Sequence, residues 1–250
     1  MNECTERSEG RERMPSRPSM KPVLLGVAHG TRSPGGQDQI RRLAAGLALR
    51  RPGLDVRLAY VDVQQPHVAD AVAQLRGAPV VVVPLLLSTG HHVRVDIGAA
   101  VEGTSAVVTA PLGPDPMLVE LLARRLRAAG PADAVVLAAA GSAEPRSRAD
   151  VAAVARALPG RARVGYASGS GPRVTDVVAE LRAAGARRIA VAAYLLVDGL
   201  FHRALHRAGA DVVTAPLVTS GSVAELVLSR YDAAVTGGPV AEFSQSTLCG

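Results

Sequence analysis

Pro79-Val80-Val81-Val82-Val83-Pro84-Leu85-Leu86-Leu87-Ser88-Thr89-Gly90-His91-His92-Val93-Arg94-Val95-Asp96-Ile97 is the stretch on which the reading of the fold turns. An unbroken β-branched run of strand length, with no polar alternation, is the pattern of a strand buried on both faces of a parallel sheet. It breaks into a small-residue turn that delivers two adjacent imidazoles, an Arg and a carboxylate. In open α/β sheets, ligands bind outside the carboxyl ends of the strands. A second apolar run, Val23 to Ala28, has the same form and enters His29-Gly30-Thr31-Arg32. Two imidazoles carried by two strand ends can serve a divalent metal or a proton transfer.

Outward from these strands, apolar and helical patterns alternate. A Gly- and Pro-rich loop follows His29, and Ile40, Leu43, Ala44, Leu47 and Ala48 keep helical spacing between Gln37 and Arg51, before the stop at Pro52-Gly53. A strand over 55–61 and a helix opened by Pro66 lead to the central strand. Beyond the His91-His92 loop, the pattern predicts a short helix over 97–103, a strand over 106–110 and a helix over 116–129 that ends at Gly130-Pro131. Alternation at this spacing implies an α/β fold, a parallel sheet covered by helices.

The pattern then repeats from Ala134 to Val235. Tyr60, Pro66, Val68, Asp70 and Leu75-Arg76 are echoed at the same spacing by Tyr166, Pro172, Val174, Asp176 and Leu181-Arg182. This is the signature of an internal duplication, and it predicts two α/β lobes, 21–131 and 132–235, facing each other across a cleft. Residues 1–20 read as a disordered tail, with Met20 a candidate translation start, and 236–250 as a flexible one. The halves differ where chemistry belongs. Gly30-Thr31 corresponds to Gly141-Ser142, so Ala140 stands where the first half has His29. Gly90-His91-His92 corresponds, with one residue of slippage, to Gly199-Leu200-Phe201-His202. The N-terminal lobe is therefore expected to carry the reaction and the C-terminal lobe to cover or bind the substrate.

Composition narrows the field. The core must be packed from Ala, Val and Leu, because the chain has 2 Phe, 4 Tyr and no Trp. The formal net charge of +6 comes almost entirely from Arg, scattered singly and in pairs such as Arg41-Arg42, Arg50-Arg51, Arg124-Arg125 and Arg187-Arg188. A scattered basic excess without aromatic stacking platforms argues against nucleic acid and for a small polyanionic ligand. No run of about 18 apolar residues stands out as a membrane span. Cys4 and Cys249 lie in the tails and cannot staple a core, so a reducing cytoplasm is the expected compartment.

Taken singly, the motifs have plain structural readings: His29-Gly30 as a turn, His91-His92 as an exposed loop. Their weight is joint, in two His-bearing strand ends of which the repeat has lost one. His67 reads as a surface residue and His206 as a solvated helix residue, while His202 either lines the cleft or faces water. The chain has no phosphate-binding loop, nucleophile elbow, zinc helix or Cys cluster. A phosphohistidine transferase and a non-catalytic metal carrier remain open on the same His residues. The first, however, wants an Arg before the His, where this chain has Ala28, and the second has little use for a cleft between duplicated lobes.

At these residues the chain resembles the sirohydrochlorin chelatases, cobalt- or iron-inserting enzymes related to class II chelatases. The resemblance rests on His29-Gly30-Thr31-Arg32, on Gly90-His91-His92-Val93-Arg94-Val95-Asp96-Ile97, and on Leu195 to His202, which is similar to the C-terminal half of the long, duplicated members. Gly98 stands where the family usually has Pro. The resemblance implies a metal-free tetrapyrrole substrate with eight carboxylates, which gives the scattered Arg a use. It implies that His29 and His92, rather than His91, hold the metal and take up the ring protons. Thr31, Arg32, Ser88, Thr89, Gly90, His91 and Arg94 are the expected substrate contacts. No cofactor is expected beyond the substrate metal, Fe2+ in preference to Co2+, and no macromolecular partner beyond a monomer or homodimer.

Overall fold

The computed structural model describes residues 21–90 and 92–237, without the side chains of 92–94. The two expected tails, with Cys4, Met20 and Cys249, lie outside the described residues apart from Thr236 and Gly237. The first half runs β1 (Val23–Ala28), α1 (Pro34–Arg50), β2 (Val56–Tyr60), α2 (Val68–Gln74), β3 (Val80–Pro84), α3 (Gly98–Val101), β4 (Val107–Val108) and α4 (Pro116–Ala128). The second runs β5 (Ala134–Ala139), α5 (Pro145–Ala157), β6 (Arg163–Tyr166), α6 (Val174–Ala183), β7 (Ile189–Tyr194), α7 (Leu200–Leu205), β8 (Val212–Val213) and α8 (Gly221–Val235). Helices α1, α4 and α5 each open on a proline in the first turn, where the missing N–H costs nothing.

Two parallel four-stranded sheets result, ordered β2-β1-β3-β4 and β6-β5-β7-β8. The central strands β1, β3 and β7 are buried at every position, as strands covered on both faces must be. The duplication extends to single hydrogen bonds. Tyr60 N donates to Pro66 O at 3.0 Å and Tyr166 N to Pro172 O at 2.8 Å. These bonds account for the repeated Tyr and Pro: each closes the loop between an edge strand and the next helix.

The sequence halves and the packed halves do not coincide. Helix α4, from the first half, packs on β7 of the second sheet, while α8, from the second half, packs on β3 and α1 of the first. Polar contacts fix the exchange. The Tyr231 hydroxyl on α8 donates to Pro22 O just before β1 at 2.7 Å, and Arg188 beside β7 donates to Ala129 O at the end of α4 at 2.7 Å. Arg230 on α8 pairs at 2.8 Å with Asp115, the residue that caps α4. One apolar cluster therefore runs through both lobes between the sheets and includes Tyr60, Tyr166, Tyr194 and Tyr231. Separate clusters lie under α2 and α3 on one outer face and under α6 and α7 on the other.

Candidate functional site

The strand order locates the site. From β1 the chain goes to β2 on one side and then crosses to β3 on the other, so the β1/β3 pair is a topological switch point where the following loops diverge and leave a crevice. The pair is in register, with Leu24 opposite Val81 and Val27 opposite Pro84. Both candidate histidines follow the carboxyl end of this pair in the chain. His29 follows β1 directly and is exposed. Its carbonyl accepts from Asp62 N at 3.0 Å. The next residue, Gly30, has φ +98°, and a Cβ there would lie 2.1 Å from Asp62 O. Only glycine allows the chain to turn this sharply and leave His29 at the rim.

The segment that carries the second histidine differs from the expected loop. Helical structure begins at His92 rather than at Ile97: a π-helical segment, His92–Ile97, runs straight into α3. Such segments recur at functional sites because the extra residue per turn re-aims side chains. His91 lies outside the described residues, as do the side chains of His92 and Arg94. Among the other expected contacts, Arg32 is exposed and Thr31 half-buried. The Thr31 amide donates to Gln64 Oε1 at 2.9 Å. Ser88 and Thr89 meet the other lobe: the Ser88 and Ser147 hydroxyls are 2.7 Å apart, and Thr89 N donates to Asp150 Oδ2 at 2.8 Å. Among the described residues, no group of three or more His, Cys, Asp or Glu side chains is placed to hold a metal ion.

The second lobe repeats the switch point between β5 and β7 without the imidazoles. Gly141 turns as Gly30 does, with φ +104°, and presents Ala140 in place of His29. Strand register removes the slippage read from the sequence. Val81 pairs with the first residue of β4 just as Ala190 pairs with the first of β8. Gly90 then corresponds to Gly199, and each donates its N–H to the carbonyl two residues back at 3.0 Å. Phe201 is therefore the counterpart of His92, and His202 lies one position beyond. His202 neither lines the cleft nor faces water. It is buried, with Nε2 3.0 Å from Thr214 O and Nδ1 3.4 Å from Asp198 Oδ1. His206 is exposed at the end of α7, edge-on to His202. His67 is also not simply a surface residue: its ring caps α2 by accepting from Ala69 N and lies 3.1 Å from Val61 O through Nε2.

The two site edges meet across the lobe boundary. Ser33 donates to Asp198 O at 3.0 Å, and Asp198 N donates to Gln39 Oε1 at 2.7 Å. Gly199 backs onto Thr31, so that a Cβ built on it would be 3.6 Å from Thr31 Oγ1. Immediately after it, Leu200 and Phe201 are left 68% and 40% exposed. In a chain whose four tyrosines are all buried, an exposed Phe two residues after the Gly199–Thr31 contact is informative. Sequence reading assigned this position to histidine and missed the aromatic.

Paired strand-end loops at one switch point, in a duplicated frame whose second copy lacks both histidines, define a two-lobed α/β protein with the distinctive loops in its first half. The chain belongs to the CbiX family: its family model matches twice, over residues 23–129 and 134–234. The resemblance to sirohydrochlorin chelatases is thereby shown. A sirohydrochlorin cobaltochelatase of Methanococcoides burtonii is 27% identical over 125 residues, which cover 95% of that protein and 43% of this chain. The namesake from Sulfolobus acidocaldarius is 31% identical over 106 residues, 85% of its length and 40% of this chain. In solved structures, SirB from Bacillus subtilis with Fe3+ superposes with a TM-score of 0.72 at 22% identity, over 86% of this chain and 95% of that one. CbiX, described as the terminal enzyme of sirohaem biosynthesis in denitrifying bacteria, gives 0.62 at 22% identity, over 85% and 99%. These likenesses establish the shared fold.

Proposed function

We propose that the protein is a sirohydrochlorin chelatase that inserts Fe2+ or Co2+ into the metal-free ring. The observation that carries this reading is the asymmetry of the duplication: His29 and His92 leave one switch point, and Ala140 and Phe201 leave its twin. Conserving turn geometry in both lobes while keeping imidazoles in one separates the residues that chemistry needs from those that folding needs. Insertion exchanges two pyrrole N–H protons for one divalent ion, so the site needs ligands and bases on the same ring face. Neutral imidazole, with an ordinary pKa of about 6.5, fills both roles near neutral pH. In this account His29 and His92 hold the incoming metal and accept the displaced protons, and the metal is substrate with no further cofactor.

The remaining expected contacts bind the ring. Arg32, Arg94 and His91 meet peripheral carboxylates, and Thr31 and Gly90 border the loops. Leu200 and Phe201 offer the apolar macrocycle a surface on the blank lobe, which removes ring area from water at about 25 cal/mol per Å2. Imidazole suits several first-row divalent ions, so the donor set accommodates both Fe2+ and Co2+; the curated relatives' names favour cobalt. No helix among the described residues is long and apolar enough to cross a membrane. The test is an anaerobic absorbance assay with sirohydrochlorin and each metal, beside His29→Ala and His92→Ala. Conversion well above the metal-only background, lost in both variants, supports the assignment. Background rates for folded wild-type protein with both metals overturn it.

A further inference from the structure

The blank C-terminal lobe has kept three side-chain hydrogen bonds to the loop that leads into His92. The Tyr194 hydroxyl, at the end of β7, donates to Leu87 O at 2.8 Å. Ser147 and Asp150, one turn apart on α5, hold the Ser88 hydroxyl at 2.7 Å and the Thr89 amide at 2.8 Å. Three consecutive residues, ending three positions before His92, are thus tied to the opposite lobe. The space for this contact is made by Gly113: a Cβ there would lie 2.1 Å from the Tyr194 hydroxyl oxygen and 2.5 Å from Leu87 O. Burial, with the Asp150 and Asp115 charges, pushes the Tyr194 hydroxyl well up from its ordinary pKa, so it stays a donor across the working pH range.

The duplication supplies an internal comparison. Gln39 on α1 is the counterpart of Asp150, and it holds Asp198 N just as Asp150 holds Thr89 N. Each lobe therefore grips the other's β-strand exit loop from its first helix. The grips are unequal. On the histidine loop the acceptor is a carboxylate, which makes the stronger, charge-assisted bond. There Ser147 replaces Gly36 and Tyr194 replaces Leu85, adding two bonds against the single added bond of the reverse grip, from Ser33 to Asp198 O. The stronger grip falls on the loop that carries imidazole.

We infer that Asp150, Ser147 and Tyr194 of the C-terminal lobe are positioning residues that set the His92-bearing segment for metal binding across the lobe boundary. This rests on the proposed role of His92 in metal insertion. Such outer supports change metal affinity by about 10- to 100-fold when removed. They act through the backbone of 87–89 and touch neither ring nor metal.

The test uses the full chain and two readouts: hydrogen–deuterium exchange over 85–97, and titration with Co2+ alone, followed by its visible absorbance. Asp150→Ala and Tyr194→Phe are expected to raise exchange in that segment selectively and to raise the Co2+ Kd about tenfold. Asp150→Asn, which retains an acceptor oxygen for Thr89 N, is expected to recover most of both losses. A purely structural role for Asp150 would not give this rescue together with unchanged exchange elsewhere. Wild-type exchange over 85–97 in both Asp150→Ala and Tyr194→Phe overturns the inference. So does raised exchange with unchanged Co2+ affinity in a protein whose affinity is abolished by His92→Ala. Failure of the parent reading looks different: Co2+ affinity then survives His29→Ala and His92→Ala, and the metal-positioning role falls with it.

Discussion

Gly30→Ala and Gly141→Ala are matched perturbations in the two halves of one molecule, and the account predicts equal effects on folding and unequal effects on activity. Gly30 has φ +98° and Gly141 has φ +104°. A residue with a Cβ in this left-handed region costs roughly 1–2 kcal/mol. The new methyl would also lie 2.1 Å from Asp62 O in one lobe and 2.0 Å from Ser168 O in the other, so the facing loop must move. That movement sacrifices the Asp62 N to His29 O bond of 3.0 Å or the Ser168 N to Ala140 O bond of 2.8 Å, about 1 kcal/mol more. The total, about 2–3 kcal/mol, corresponds to a drop in Tm of roughly 5–10 °C for a protein of this size. Both variants should show it in scanning calorimetry. Metal insertion, assayed well below both transitions, should fall steeply in Gly30→Ala, which displaces His29, and stay within about threefold of wild type in Gly141→Ala, which displaces Ala140. Equal losses of activity in the two variants, or an unchanged Tm in Gly30→Ala, would refute the separation of turn geometry from chemistry.

Three other outcomes follow from particular contacts. His202→Ala leaves Thr214 O without its buried ring partner, so thermal unfolding should show a loss of about 1–3 kcal/mol, while the insertion rate per folded molecule is retained. Phe201→Ser should raise KM for the tetrapyrrole several-fold with little change in kcat or Tm, because the ring it replaces is 40% exposed in the free protein. Asp211 is held below the ordinary carboxylate pKa by the Ile189 amide and by Arg182, and Asp133 by the amides of Arg188 and Arg187. Depressed folded-state values mean stability that is present above the unfolded pKa of about 4 and lost as pH falls below it. Chemical denaturation across this range should therefore show a shallower acid loss in an Asp133→Asn/Asp211→Asn double variant than in wild type.

Local pattern carried much of this protein in its sequence. The strands around Val23 and Val80 were legible because burial on both faces demands unbroken apolar runs. The duplication was legible because Tyr60 with Pro66 and Tyr166 with Pro172 close the same loop twice. His29 was legible because Gly30 marks the turn that exposes it. The exchange of α4 and α8 was not, since an amphipathic stripe specifies that a face is buried and not which sheet covers it. The register of Phe201 against His92 was misread by one residue because both motifs end in histidine, and only strand pairing distinguishes the positions. His202 and His67 looked like site or surface candidates, yet each satisfies a nearby backbone group, a use of imidazole that leaves no spacing signature. Ser147, Asp150 and Tyr194 were passed over for the same reason: as residues of an ordinary helix and strand, they acquire a role only from the loop opposite.

Chemical rescue of His29→Gly asks whether the imidazole of His29 takes part in metal insertion. Stopped-flow absorbance with sirohydrochlorin and Co2+ should show the variant slowed by about 100-fold or more, with the rate restored progressively by added imidazole and not by a non-coordinating buffer of similar pKa. A folded His29→Gly variant that inserts metal at the wild-type rate, with or without imidazole, would exclude the His29 imidazole from the reaction.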